Sequence, residues 1–289
     1  MIRCKIFLFY YAVLIVFVFT AISFAQFDDR TLLGSQRLPG INPDSYFSRP
    51  VQLIDFPTAG ILRSGDIKTS VRLFENGGAL GRLSVGISNK MMFGVSFGGI
   101  NIIGRDNVEW NQVPGVHFMY HLTDESLVMP AMVLGFDSQG YGPFHRNIDE
   151  AENIEENETV MSNRYETKSR GLFFGVSKGY TSIIKMGLHG GISFSLENDD
   201  GDKDPTVFLA IDALISRDIA LLAEYDFASN DDLARKNNKE RGFLNAGVRW
   251  AFTDYMFIEF DFRNLLSEKN DGQSGITRTL KFVYYGSIK

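Results

Sequence analysis

From Ile67 onward, apolar and polar side chains alternate in short segments, the period-two signature of a strand with two unlike faces. Ile67, Thr69, Val71 and Leu73 share one face, and Lys68, Ser70 and Arg72 share the other. Leu83, Val85 and Ile87 oppose Arg82 and Ser84; Met91, Phe93, Val95 and Phe97 oppose Gly94, Ser96 and Gly98; Val116, Phe118, Tyr120 and Leu122 oppose His117 and His121. The run Leu127 to Phe136 is apolar throughout, so its facing is ambiguous. Seven further segments follow: Leu172 to Ser177, Leu188 to Leu196, Val207 to Asp212, Leu221 to Phe227, Leu244 to Trp250, Met256 to Arg263 and Thr279 to Tyr284. The pattern predicts twelve strands; eleven or fourteen stay open because of the ambiguous run and the amino-terminal stretch.

The connections sort into two kinds. Tight ones fall at Asn89-Lys90, Thr123-Asp124-Glu125, Gly179 to Lys185, Ile215 to Asp218 and Thr253-Asp254. Longer ones fall at Gly99 to Gln112, Ser138 to Ser169, Glu197 to Pro205, Ala228 to Arg241 and Asn264 to Gly275. Short turns on one rim and long loops on the other is the pattern of an outer-membrane barrel, and it puts both termini in the periplasm. The first hairpin, Glu75-Asn76-Gly77-Gly78, is short where a long loop is expected.

The composition of the two faces separates a membrane barrel from a soluble sandwich or lipocalin-like barrel. The polar face is rich in Gly and Ser with a few charges, which suits a confined lumen; the other carries Phe, Leu, Ile and Val and is nearly free of charge. A charge on a lipid face costs about 2–4 kcal/mol at mid-depth. Trp250, Phe252, Tyr255, Tyr284 and Tyr285, near strand ends, fit an interfacial aromatic girdle. The expected fold is an all-β, antiparallel, up-and-down transmembrane barrel of about twelve strands over residues 63–289. Its lumen-lining candidates are Lys68, Arg72, Arg82, His117, His121, His189, Glu224, Asp226, Arg249, Glu259 and Asp261. Glu224/Asp226 and Glu259/Asp261 are expected to pair with inward Arg72, Arg82 and Arg249.

The first 25 residues read as an export signal: Arg3 and Lys5, an apolar run from Ile6 to Phe24, and small residues at Ser23 and Ala25 before Gln26. An uncleaved anchor helix is the rival reading. Cys4 would leave with the signal, and the mature chain would hold no cysteine. Without Arg3 and Lys5, 27 basic residues face 35 acidic ones, a net charge of −8 that argues against a nucleic-acid partner. Residues 26–62 contain Pro39, Pro43, Pro50 and Pro57 without sustained alternation. They form a periplasmic or plug-like segment that enters the lumen, lies at the rim or meets a partner, with a lead-in coil as the plain reading. The acidic run Asp149 to Glu158 reads as part of a solvated loop.

No constellation carries a catalytic or metal-binding reading. On a strand, His117 and His121 stand roughly 13 Å apart at ~3.3 Å per residue, too far to share an ion. Asn198 to Asp204 resembles a calcium loop but lacks the closing bidentate Glu. His189 with Ser193 or Ser195 suggests a hydrolase, yet positions four and six residues apart on one strand are out of hydrogen-bond reach. The chain is therefore read as no enzyme, with no cofactor and no metal.

Leu53-Ile54-Asp55-Phe56-Pro57-Thr58-Ala59-Gly60 resembles the lead-in to the first barrel strand of YjbH-like proteins. Tyr120 to Ser126, followed by Met129-Pro130-Ala131-Met132-Val133-Leu134-Gly135-Phe136, is similar to that family's basic strand end, acidic turn and proline-led apolar strand. The resemblance implies an outer-membrane barrel associated with exopolysaccharide export. The sequence thus points to a passive channel or export component. A closed structural barrel that recruits a periplasmic partner is the alternative, and a barrel hydrolase the third reading. Outer-membrane lipid and lipopolysaccharide are the expected surroundings; polysaccharide or periplasmic export proteins are the expected partners.

Overall fold

The computed structural model describes residues 49–288 apart from 106, 146–162, 182–183, 232–241 and 267–274. Its strands are β1 (Asp66–Phe74), β2 (Gly78–Ser88), β3 (Met91–Ile100), β4 (Glu109–Trp110), β5 (Gly115–Thr123), β6 (Ala131–Asp137), β7 (Tyr141–His145), β8 (Arg164–Thr167), β9 (Gly171–Thr181), β10 (Lys185–Phe194), β11 (Thr206–Leu214), β12 (Ile219–Asp226), β13 (Phe243–Thr253), β14 (Met256–Arg263) and β15 (Thr277–Ser287). Twelve of them pair antiparallel in sequence order, each with its neighbour. β1 closes the sheet on β15, in register from Asp66 opposite Ser287 to Leu73 opposite Leu280. The result is a closed twelve-stranded up-and-down barrel with no open edge to satisfy. The two-residue β4 extends β3 at one rim, and β7 and β8 form a separate hairpin.

Alternation fixes the facing. In β1, Lys68, Ser70 and Arg72 are buried while Thr69 and Val71 are exposed. Around the outside, Val71, Leu83, Phe93, Val95, Leu134, Leu172, Leu209, Ile211, Leu221, Val248, Phe260 and Phe282 are exposed. An apolar surface so extensive exceeds what a soluble monomer presents to water. It rules against the soluble sandwich, which buries this face.

Three details depart from expectation. Leu127, Val128 and Met129 are exposed and precede β6, which begins at Ala131 with Ala131, Val133 and Gly135 turned inward. Tyr285 points inward, 5% exposed, against Phe257 at 5.5 Å, so it leaves the girdle formed by Trp250, Phe252, Tyr255 and Tyr284. The stretch read as a plain solvated loop after β6 contains the β7–β8 hairpin, while its acidic run lies outside the described residues. The short first hairpin turns through Glu75, Asn76 and Gly77, the last two at positive φ, a conformation that Asn and Gly adopt most readily. The export signal also lies outside the described residues.

Candidate functional site: the occupied lumen

The lumen is not empty. Residues 50–62 form a hairpin inside it. Gln52 bridges Pro57, Thr58 N–H donates to Val51 O at 3.1 Å, and Leu53 N–H donates to Phe56 O at 3.0 Å across the tip. The base of both arms, Arg49-Pro50 and Thr58 to Ile61, lies beside Asn89, Asp124, Glu125 and Thr181, on the short-turn rim. The tip reaches toward the long-loop side, where Arg263 ends β14.

The tip is held by acidic and basic side chains of the wall. The Asp55 carboxylate accepts from Arg72 Nη1 at 2.6 Å and from Arg263 Nε at 2.8 Å. Glu224 receives the backbone N–H groups of Asp55, at 2.9 Å, and of Phe56, at 3.1 Å. Lys281 Nζ donates to Leu53 O at 2.9 Å and Ile54 O at 3.1 Å, and pairs with Glu259. Arg249 bonds Gln52 O at 3.0 Å and pairs with the same Glu259. A turn buried among side chains would otherwise orphan its peptide groups, each costing about 1–3 kcal/mol; here the wall satisfies them.

Apolar contacts complete the seat. Leu53, Ile54 and Phe56 are fully buried with Phe208, Ala210 and Leu222. Phe56 stacks on Phe208 at 4.6 Å, and the Arg170 guanidinium lies 4.1 Å from the Phe56 ring and 5.9 Å from that of Phe208 while pairing with Asp226 at 2.7 Å. Nearer the short-turn rim, Val51, Ala59 and Leu62 pack among Met92, Met119, Val133, Phe173 and Phe257. On the long-loop side Tyr141 of β7 lies under the guanidiniums of Arg72 and Arg263 and accepts from Gln52 Nε2 at 3.3 Å. Cavities beside the hairpin include one of about 20 Å³ next to Lys68, Arg82 and His117, and one of about 520 Å³ at the short-turn rim.

Every lumen candidate faces inward, but the pairings differ from those the sequence suggested. Arg249 does meet Glu259; Arg72 serves the hairpin, and Arg82 pairs with Asp137 at 2.9 Å. Lys68 is buried at the inner wall. Asp261 accepts from Thr279 Oγ1 at 3.0 Å. His117 bonds Ser84 at 2.8 Å, and His121 faces Asp124 at 3.3 Å, so the two histidines serve different neighbours. His189 lies between Ser177 and Asp212, 2.7 Å from each. Its serine is the one across the β9–β10 ladder, not Ser193 or Ser195 on its own strand.

Above the long-loop rim, Arg164 pairs with Asp200 at 2.8 Å and with Asp231, and Lys168 Nζ pairs with Asp200 at 2.7 Å. Asp200 of the Asn198 to Asp204 loop is thus paired with two side-chain cations. Burial alone would raise the Asp200 carboxyl, but Lys168 and its other partners outweigh that and hold it below the usual carboxylate value. Glu197, half-buried where it accepts the Tyr165 and Ser169 N–H groups, is pushed upward by its desolvation. Among the described residues no group of three or more acidic, His or Cys side chains is arranged for a metal.

No family model matches the chain, and no curated protein matches it. Among solved structures it is similar to the KdgM porin, at 10% identity over 78% of this chain and 99% of that one with a TM-score of 0.41. The same values hold for the KdgM porin in complex with disordered oligogalacturonate. The NanC porin aligns at 12% identity over the same shares with a TM-score of 0.39. A likeness this distant carries no function across.

Proposed function

We propose that this chain is a bacterial outer-membrane barrel of the channel class, closed at rest by its own 50–62 hairpin, with the short-turn rim and both termini in the periplasm. The carrying observation is the seat of Asp55: a carboxylate held by Arg72 and Arg263, on a turn whose amides and carbonyls the wall satisfies. The apolar exterior supports the membrane setting, since a closed barrel is the form in which strands can span hydrocarbon. The charged inner wall supports a channel: were the hairpin withdrawn, Arg72, Lys281, Arg249, Glu224, Glu259 and Asp261 would border a water-compatible passage. Residues 53–60, which carry the resemblance to YjbH-like proteins, are the ones seated in the lumen, and this supports a place beside exopolysaccharide export.

The second reading is a permanently closed anchoring barrel that presents its periplasmic rim to a partner. The fully buried Leu53, Ile54 and Phe56 favour it, because they join hairpin and wall as a protein core does. Planar-bilayer recording separates the two. A closed-at-rest channel shows brief openings in the full chain that become steady when residues 50–61 are deleted. A full chain silent at every voltage supports the anchor, and one steadily open overturns the closed lumen.

A further inference from the structure

Ser177 stands directly opposite His189 in the β9–β10 ladder, and Asp212 stands opposite Gly187 in the β10–β11 ladder. A Cβ on Gly187 would press on both Asp212 Oδ1 and His189 Nε2, so the glycine is what lets the carboxylate reach the ring. The outcome is one line of contacts, Asp212 Oδ1 to His189 Nε2 and His189 Nδ1 to Ser177 Oγ, each 2.7 Å. A carboxylate only accepts, so Nε2 carries the proton and Nδ1 of the neutral ring accepts the serine hydroxyl. Ser177 Oγ in turn accepts the Ala59 N–H at 2.7 Å. All four residues border the cavity of about 520 Å³ at the short-turn rim, a volume within the range of small-molecule sites. Anchoring the hairpin needs only the bond from Ala59 to Ser177. It needs neither a carboxylate behind the histidine nor open space in front of the serine.

We propose that Ser177, His189 and Asp212 form a nucleophile, base and orienting carboxylate that cleave carboxylic esters small enough for this cavity. Ser177 Oγ attacks the acyl carbon as its proton passes to His189 Nδ1. That proton moves to the departing alkoxide as the ester C–O bond breaks, which frees the alcohol and leaves the acyl group on Ser177. Water then gives a proton to Nδ1 and attacks the acyl carbon. Ser177 leaves with that proton, and the carboxylic acid is released. The Ala59 N–H, aimed at Oγ at rest, is the donor available to the oxyanion. The ring nitrogens are used in the opposite sense to the serine proteases, with the same proton balance. Ser177 and His189 are catalytic; Asp212 is a positioning residue that sets the tautomer. The walls combine Ile61, Ala131 and Met186 with Lys185, which suits a short acyl chain on a polar alcohol.

The proposal does not depend on channel function and is tested on the full chain folded in detergent, with faster gel migration before boiling than after showing that each variant is folded. A small fluorophosphonate should form a covalent adduct that peptide mass mapping places on Ser177. It should be absent in Ser177→Ala and slowed at least about 100-fold in His189→Ala. Asp212→Asn should lower the maximal inactivation rate while leaving the half-saturating probe concentration unchanged. A folded wild-type protein that stays unlabelled, an adduct elsewhere, or labelling indifferent to His189→Ala overturns the site.

Discussion

Asp55 and Arg72 are seventeen residues apart in the chain and 2.6 Å apart in the lumen, one at the tip of the hairpin and the other on the first barrel strand that follows it. The chain therefore folds back on its own beginning, and the pair ties plug to wall within a single local segment. Asp55→Ala would take the carboxylate partner from the buried Arg72 and the half-buried Arg263. The loss should be about 3–5 kcal/mol, read from urea unfolding of the refolded barrel. A change under about 1 kcal/mol would mean that the guanidiniums find other partners and that the tip is not held by charge.

Phe56 gives the apolar counterpart. Replacing it with Ala removes a fully buried ring that packs against both Phe208 and Arg170, a truncation that costs about 3–5 kcal/mol in a packed core. Proteolysis at the hairpin should also become faster than in the parent. Leu at the same position should recover most of the stability if buried apolar volume dominates; a Leu variant as unstable as Ala would assign the loss to the ring stack, and two variants as stable as the parent would show that the ring contributes little.

The outer face answers to a different solvent. Ile211, near the middle of β11 and exposed, should cost about 2–4 kcal/mol when changed to Arg in a lipid bilayer. The same variant in a soluble protein would be nearly neutral, so folding into vesicles discriminates between the two settings. Equal folding yields with and without the arginine would remove the membrane from the account.

The long-loop rim should be acid-labile. Asp200 has a folded pKa below its unfolded value of about 3.9. Its stabilising share is therefore fully present above that value and lost as pH falls through the folded one. Between pH 7 and pH 3 the thermal midpoint of Asp200→Asn should drop less than that of the parent. Parallel drops would show that Asp200 is not the group that titrates.

How much of this was legible in the chain differs between wall and contents. The twelve strands and their facing were readable because a one-residue slip would turn every side chain over, so alternation over eight or more positions leaves one solution. Ambiguity fell where alternation failed, at Leu127 to Met129; at Tyr285 alternation held and pointed the ring inward, against its assignment to the girdle by residue type. The occupied lumen was harder to see. Its signal lay in large apolar residues on the polar face, among them Phe173, Phe208, Leu222 and Phe257, which a water-filled lumen does not call for and a buried hairpin does. The partner of His189 was hidden for another reason. Register between strands decides that Ser177 and not Ser193 meets the ring, and register is a property of two segments at once.

The hairpin goes in and comes back through the same opening. Among the described residues nothing is therefore threaded, and withdrawing the tip would leave every rung between strands intact. A segment crossing from one mouth to the other would be captive until the wall itself tore. The wall is thus free to close first and take its stopper afterwards, and neither order leaves the chain entangled.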